Sequence, residues 1–139
     1  MEKRTGLEFF FEQIGEGSCG VCAANTILKM FGLRGAIFSF SAIRGVSPKR
    51  ILHELRKKGL NVESKTISIR SLKPRSILYY PLPSDHYVVV DKIVGGRARI
   101  YDSEKKGPYW LRLSILKKKW YGNKPHGWVI EVRKPSGES

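Results

Sequence analysis

Apolar and polar positions along the chain predict helices first and strands second. After Cys19, the residues Ala23, Ile27 and Met30 recur at helical spacing and share one face. A loop of glycine and serine precedes this run and a glycine follows it, as is typical of helix ends. The pattern predicts a helix over residues 18–31, buried along its length but open at its N-terminus.

A second helix is predicted after Ser47, because the proline that follows suits the first helical position. Its apolar residues share one face until Gly59, and His53 lies off that face, so we expect this histidine at the surface. A short helix is predicted over residues 114–121.

Alternating or short apolar runs predict the strands, which lie at residues 60–69, 76–80, 86–94, 97–102 and 127–132, with a short one after Gly107 and Pro108. No internal repeat or linker interrupts them. The order of elements indicates an α+β fold, with N-terminal helices packed on a C-terminal antiparallel sheet. We expect one domain over residues 1–139, with a polar tail at 132–139.

Composition supports a globular protein. The chain has 139 residues, of which 41% are hydrophobic, enough for one core. No apolar run approaches the roughly 20 residues needed to span a bilayer. The N-terminus has no apolar signal region, and two cysteines make no disulfide framework. We therefore expect a cytoplasmic protein.

The net charge of +14 is unevenly distributed. Residues 1–40 hold four Lys/Arg and four Asp/Glu, so the whole excess comes from residues 41–139. It is clustered at 56–58, 105–106 and 117–119, and the last cluster is followed by Trp and Tyr. Such clusters indicate either a nucleic-acid-binding surface or a solvated basic surface. No helix-turn-helix, zinc-finger or RRM-type motif accompanies the charge.

Cys19 is the first candidate for chemistry. In the first turn of a helix, unpaired N–H groups and the helix dipole favour the nucleophilic thiolate. Gln13, on the incoming loop, can form an oxyanion hole together with the Cys19 backbone N–H. Two alternatives remain open: a buried structural cysteine, or a thiol oxidoreductase that uses Cys19 and Cys22. A zinc site needs further close ligands, and His53, His86 and His126 are widely scattered.

These residues carry a resemblance when they are read in order. Gln13, then Cys19 with the following glycine, then the segment 72–78 leading to His86, and then Asp102 resemble the bacteriocin-processing cysteine peptidases. These are papain-like domains best known as the cytosolic part of peptide-exporting ABC transporters, where they cut leader peptides after a double glycine. The similarity covers about residues 8–132.

The resemblance implies a role for each matching residue. Cys19 is the nucleophile, His86 the base, Asp102 the residue that orients His86, and Gln13 the second donor of the oxyanion hole. It also implies a peptide substrate, with a Gly-Gly leader as one candidate. We expect no cofactor and no metal. Ser103 departs from the family pattern, which has proline at this position.

Other residues compete for two of these roles. Asp85 and Asp91 are the alternative orienting acids, although each is expected to point to the other face of the strand from His86. His126, in the loop before the last strand, is the alternative base.

The hairpin around Gly95 and Gly96 decides whether His86 and Asp102 can meet. A two-residue turn would put them on opposite faces of the sheet and would set Lys92 opposite Arg99. A turn of three residues, or five, sets Asp102 diagonal to His86, at about 7–8 Å between backbones. We therefore predict the odd-length turn, with a hydrogen bond between the His86 ring and the Asp102 carboxylate. The same register pairs Arg99 with Asp91.

Overall fold

The computed structural model describes residues 19–33, 47–81, 86–105 and 107–133, with the backbone alone at positions 19 and 21. The helices are α1 (Cys19–Met30), α2 (Pro48–Lys57) and α3 (Leu113–Tyr121). The strands are β1 (Asn61–Ile67), β2 (Ser76–Tyr80), β3 (His86–Val94), β4 (Arg97–Tyr101), β5 (Tyr109–Arg112) and β6 (Gly127–Arg133). Each predicted element is confirmed to within a few residues, and β6 extends to Arg133, into the predicted tail.

The strands form one antiparallel sheet in the order β1-β6-β2-β3-β4-β5. Helices α1 and α2 pack on one face of the sheet, and α3 packs on the other. The predicted α+β fold is confirmed. Two features go beyond the prediction: α3 covers the second face, and the last strand inserts between β1 and β2. None of the described helices is long and apolar enough to cross a bilayer.

Both faces of the central strands are buried, which explains the apolar run at the start of β3. On one face, Ile27 of α1 and Ile51 of α2 pack in the same core as Val89. On the other, Trp120 of α3 packs in the same core as Val88. All five side chains are buried. Successive residues of one strand point to opposite faces of the sheet and therefore provide apolar contacts for the helices on both sides.

The start of α2 has the predicted cap. The Ser47 hydroxyl accepts the Arg50 N–H at 3.2 Å, and Pro48 occupies the first helical position. His53 is exposed, as predicted. Its neighbour Glu54 is buried and is held by Arg50 Nε at 3.0 Å.

The predicted three-residue turn between β3 and β4 is wrong. The turn contains only Gly95 and Gly96, whose φ angles are +59° and +77°. Two successive left-handed residues make the turn type that best matches strand twist, and glycine adopts them without steric cost. As a result, Lys92 lies directly opposite Arg99, the pairing that we had expected the chain to avoid.

A β-bulge at Asp91 corrects the register farther along the hairpin. The pairing shifts between Val90 and Lys92, so that Val90 lies opposite Ile100. This is the alignment that the three-residue turn was predicted to produce. A bulge adds one residue to one strand, and a one-residue shift exchanges the two faces of the sheet. The bulge therefore does what we had assigned to the turn.

A buried ion pair lies at the bulge. Arg99 donates to both carboxylate oxygens of Asp91, at 2.9 and 2.6 Å, and the Tyr101 hydroxyl donates to the same carboxylate at 3.0 Å. The Arg99 and Asp91 side chains are only 7% and 6% exposed. The predicted pairing of these two residues thus occurs through side chains, although the backbone partner of Arg99 is Lys92.

Candidate active site

His86 and Asp102 meet at the end of the sheet opposite the hairpin turn. His86 begins β3, and Asp102 directly follows the last residue of β4. Because the bulge aligns Val89 with Tyr101, Asp102 lies diagonal to His86 on the same face of the sheet. The distance from His86 Nε2 to Asp102 Oδ1 is 2.7 Å, so the predicted hydrogen bond is confirmed.

The Asp102 carboxylate is held in its charged form. The residue is 5% exposed, and Oδ1 also accepts the Glu104 N–H at 3.0 Å. Burial alone raises the pKa of this carboxyl group. The hydrogen bonds from His86 and Glu104, together with the charges of His86 and Lys105, outweigh burial, and the pKa of Asp102 lies below its usual value.

This carboxylate also selects the tautomer of His86. An anionic acceptor at Nε2 favours the proton on Nε2, because that N–H donates to Oδ1. Nδ1 is then the ring nitrogen that can take a proton from a nucleophile. Glu104 Oε2 lies 3.9 Å from Nδ1, beyond hydrogen-bonding distance, and its side chain is 58% exposed.

The competing residues have other positions. Asp91 is engaged by Arg99 and Tyr101. His126 is exposed, and its ring lies beside Tyr121 with centroids 6.3 Å apart. Asp85 lies outside the described residues, as does Gln13. Among the described carboxylates, Asp102 is the one hydrogen-bonded to His86.

Cys19 is the first residue of α1, so its backbone is at the positive end of the helix dipole. The helix packs on β3, the strand that begins with His86. Cys22 is buried one turn later, which gives it the environment of a small apolar residue.

Donor atoms of His86, Asp102 and Glu104 lie within 4.8 Å of one another, the spacing of a metal site. His86 and Asp102 are already hydrogen-bonded, however, and Glu104 is exposed. The close spacing of these three side chains is therefore explained by a hydrogen-bonded pair that lies beside a surface carboxylate.

Two tyrosines that the sequence analysis missed surround the pair. Tyr80 lies opposite His86 in the β2–β3 ladder, with ring centroids 6.3 Å apart. Burial and the negative charge of Asp102 raise the pKa of Tyr109 to about 12, and burial raises the pKa of Tyr80 as well. The pairing of β2 with β3 was the signal that could have identified Tyr80.

The Tyr80 hydroxyl is buried and has no hydrogen-bond partner among the described residues. We expect Tyr80→Phe to raise the free energy of unfolding by about 1 kcal/mol, because an unpaired buried hydroxyl is costly. Tyr101→Phe is the matched control: it removes a hydroxyl bound to Asp91 and is expected to cost about 1.5–3 kcal/mol. Urea unfolding measures both, and equal losses of stability in the two variants would contradict the prediction.

An aromatic cavity has a volume of about 490 Å³, and its lining includes Tyr79, Pro81, Tyr121, His126 and Trp128. Tyr79 and Pro81 flank Tyr80, the strand partner of His86. The cavity therefore begins one strand away from the His86 and Asp102 pair.

Solved structures share this fold. A double glycine motif protease from an AMS/PCAT transporter, solved in complex with the leader peptide, superposes with a TM-score of 0.72, at 18% identity and 91% coverage of each chain. The peptidase domain of Streptococcus ComA, a bifunctional ABC transporter involved in quorum sensing, gives 0.69 at 15% identity, covering 88% of this chain and 96% of that domain.

A third similar structure is the N-terminal peptidase C39-like domain of the toxin secretion ATP-binding protein from Vibrio parahaemolyticus, with a TM-score of 0.62, 13% identity, and 88% and 99% of the two chains covered. At these identities the likeness concerns the fold. No curated protein matches the sequence.

The sequence profile of the peptidase C39 family matches residues 9–124, which is most of the chain. The match includes the start of α1, the hairpin, and the His86 and Asp102 pair. The chain therefore belongs to the peptidase C39 family and is a cysteine-type peptidase.

Proposed function

We propose that this peptidase cleaves its substrate with Cys19 as nucleophile, His86 as base and Asp102 as the residue that orients His86. Gln13 and the Cys19 N–H form the oxyanion hole. The observation that carries the proposal is the 2.7 Å hydrogen bond between His86 Nε2 and the buried Asp102 carboxylate. It leaves Nδ1 as the proton acceptor for a thiol at the start of α1.

The reaction proceeds in two halves. His86 Nδ1 takes the Cys19 proton, and the thiolate attacks the scissile carbonyl carbon to form a tetrahedral oxyanion. The intermediate collapses to a thioester when His86 protonates the leaving amine. A water molecule, deprotonated by His86, then attacks the thioester and releases the acid product with the thiol restored. Both oxyanions are stabilised by Gln13 and the Cys19 N–H.

Asp102 contributes by remaining charged. Its lowered pKa keeps the carboxylate ionised near neutral pH. An anion at Nε2 stabilises the imidazolium that accompanies the thiolate, and it prevents the ring from turning. The positive end of α1 adds to the stability of the thiolate.

The substrate is a peptide, with a double-glycine leader as the favoured class. One structure with the same fold was solved with a leader peptide bound. The aromatic cavity beside Tyr80 offers an apolar surface for side chains preceding the cleaved bond. A reducing compartment such as the cytoplasm suits a mechanism that needs a free thiol.

Selective alkylation tests the nucleophile. Iodoacetamide at neutral pH is expected to modify Cys19 much faster than Cys22, because only Cys19 is at a helix N-terminus and Cys22 is buried. Peptide mapping by mass spectrometry locates the modified residue. Cys22→Ala is the matched control and should leave the rate unchanged.

The same protein, incubated with a library of glycine-containing peptides, should yield products that Cys19→Ala does not produce. Formation of a reversible Cys19 to Cys22 disulfide, with no peptide cleaved, would instead support the oxidoreductase alternative. Alkylation of Cys19 at the rate of an ordinary thiol would contradict the proposed activation.

A further inference from the structure

The sheet has a second chemically distinctive region, at the hairpin end away from His86. Six side chains on β3, β4 and β5 share one face there, and we call this the outer sheet face: Lys92, Val94, Arg97, Arg99, Trp110 and Arg112. The register places them in two rows, with Arg97 between Val94 and Arg112, and Arg99 between Lys92 and Trp110. Directly opposite residues of paired strands point to the same side.

Two pairs of like charges lie directly opposite each other on this face. They are Arg97 with Arg112, and Lys92 with Arg99. Such pairs destabilise a sheet, because their Cβ atoms are only about 5 Å apart. Asp91 neutralises Arg99, but no described acidic side chain forms an ion pair with Lys92, Arg97 or Arg112.

Asp91 pairs with Arg99 on this face, but the next acids along the chain do not reach it. Between Lys92 and Lys119 the chain has nine Lys/Arg and only two acidic residues, Asp102 and Glu104. Both acids lie at the His86 end of β4. Lys92, Arg97 and Arg112, which have no acidic partner in the part of the chain that the structure describes, are also exposed. They form a concentrated positive surface that an anion would stabilise.

An exposed aromatic ring lies among these cations. Trp110 is 45% exposed and is opposite Arg99, one row from Arg112. Proteins usually bury such a ring. Trp110 lies on the edge strand β5, at the end of the row that contains Lys92 and Arg99. An exposed tryptophan beside Lys and Arg side chains is typical of surfaces on which bases stack while cations contact phosphates.

We propose that the outer sheet face binds single-stranded nucleic acid, with a base stacked on Trp110 and phosphates contacted by Lys92, Arg97 and Arg112. An acidic peptide would use the cations but would not need the tryptophan. At about 3.3 Å per residue, Lys92 lies roughly 20 Å along β3 from His86. The face is therefore separate from the peptidase site, and its binding does not depend on the proposed catalytic residues.

Fluorescence anisotropy with a labelled 12-nucleotide oligothymidylate tests the cations. Arg97→Gln with Arg112→Gln is expected to weaken binding at least about tenfold in low salt and to reduce the slope of log K against log salt by about 1.4, because two phosphate contacts are lost. The matched control removes the same charge at the other edge of the sheet, from α2 by Lys49→Gln and from the residue that follows α2 by Lys58→Gln. Equal weakening in both double variants would overturn the proposal.

Trp110 distinguishes nucleic acid from other anions. Trp110→Ala is expected to weaken oligothymidylate binding roughly 5- to 100-fold, and Trp110→Phe is expected to restore much of it, because phenylalanine also stacks. Undiminished binding by Trp110→Ala would overturn the proposal. So would polyglutamate or phosphatidylserine vesicles that bind more tightly than the oligonucleotide, since these would identify an acidic polypeptide or a membrane as the partner.

The melting temperature of each variant shows whether a loss of binding results from a loss of folded structure. Arg97→Gln relieves the contact with Arg112, so its melting temperature should equal or exceed that of the parent chain in low salt. A variant that keeps its melting temperature but loses binding supports the site. If Arg97→Gln instead lowers the melting temperature markedly, Arg97 has a structural role and the proposed site is wrong.

Discussion

Replacing His86 by alanine is expected to lower kcat/KM for peptide cleavage by at least about 10³-fold, the largest effect we anticipate from any single change. Proton transfer by a positioned histidine is commonly worth 10²- to 10⁴-fold, and the imidazolium also stabilises the thiolate. The rate of Cys19 alkylation should fall in parallel, so the prediction can be checked before a substrate is known. His53→Ala removes an exposed histidine of α2, outside the proposed site, and is the matched control.

Changes at Asp102 should have graded effects that follow its hydrogen bonds. Asp102→Ala removes the acceptor for both His86 Nε2 and the Glu104 N–H. Asp102→Asn keeps a carbonyl oxygen that can accept both, and should therefore retain more activity than alanine. Because the pKa of Asp102 is lowered, the parent enzyme should show no activity change from this carboxyl group near neutral pH. Full activity in His86→Ala or Asp102→Ala would reject the assigned triad.

Replacing Asp91 by alanine is expected to destabilise the fold by about 3–5 kcal/mol, because Arg99 would be left buried without its counter-ion. Next to Lys92, that uncompensated charge also increases the repulsion across the hairpin. Urea unfolding followed by circular dichroism measures the loss. The double variant Asp91→Ala with Arg99→Met removes both charges and should recover much of the stability.

The single variant Asp91→Ala also tests the link between the bulge and the pair formed by His86 and Asp102. If the bulge is lost, the register beyond it shifts by one residue and Asp102 turns to the face away from His86. Alkylation of Cys19 should then slow even at temperatures where the variant remains folded. If Asp91→Ala loses less than about 1 kcal/mol of stability and alkylation of Cys19 is unchanged, the ion pair does not stabilise the fold and the bulge is not needed to align Asp102 with His86.

The hairpin shows how far prediction from sequence reaches. Alternation along residues 86–94 and 97–102 identified both strands, and the glycine pair identified the turn. The prediction was wrong about where in the hairpin the unpaired extra residue of β3 lies. We assigned it to the turn, to avoid Lys92 opposite Arg99, whereas the chain accepts that pairing and bulges at Asp91. Whether an acid can offset such a pair depends on side-chain geometry, which alternation does not contain.

The sequence alone determined the features that depend on neighbouring residues. Helix caps and glycine stops depend on neighbouring residues, so the starts of α1 and α2 and the residues of the central strands followed directly from the sequence. The order of Gln13, Cys19, His86 and Asp102 also indicated the family that the profile match then established.

Tertiary structure alone decided which residues meet across the sheet. The insertion of β6 between β1 and β2, the position of α3 on the second face, and the contact of Tyr80 with His86 join residues far apart in the chain. So does the outer sheet face, where three strands bring Arg97, Arg112 and Trp110 together. Such contacts depend on register, and register depends on a balance of bulges, buried charges and packing over the whole sheet, because a shift of one residue reverses every side chain.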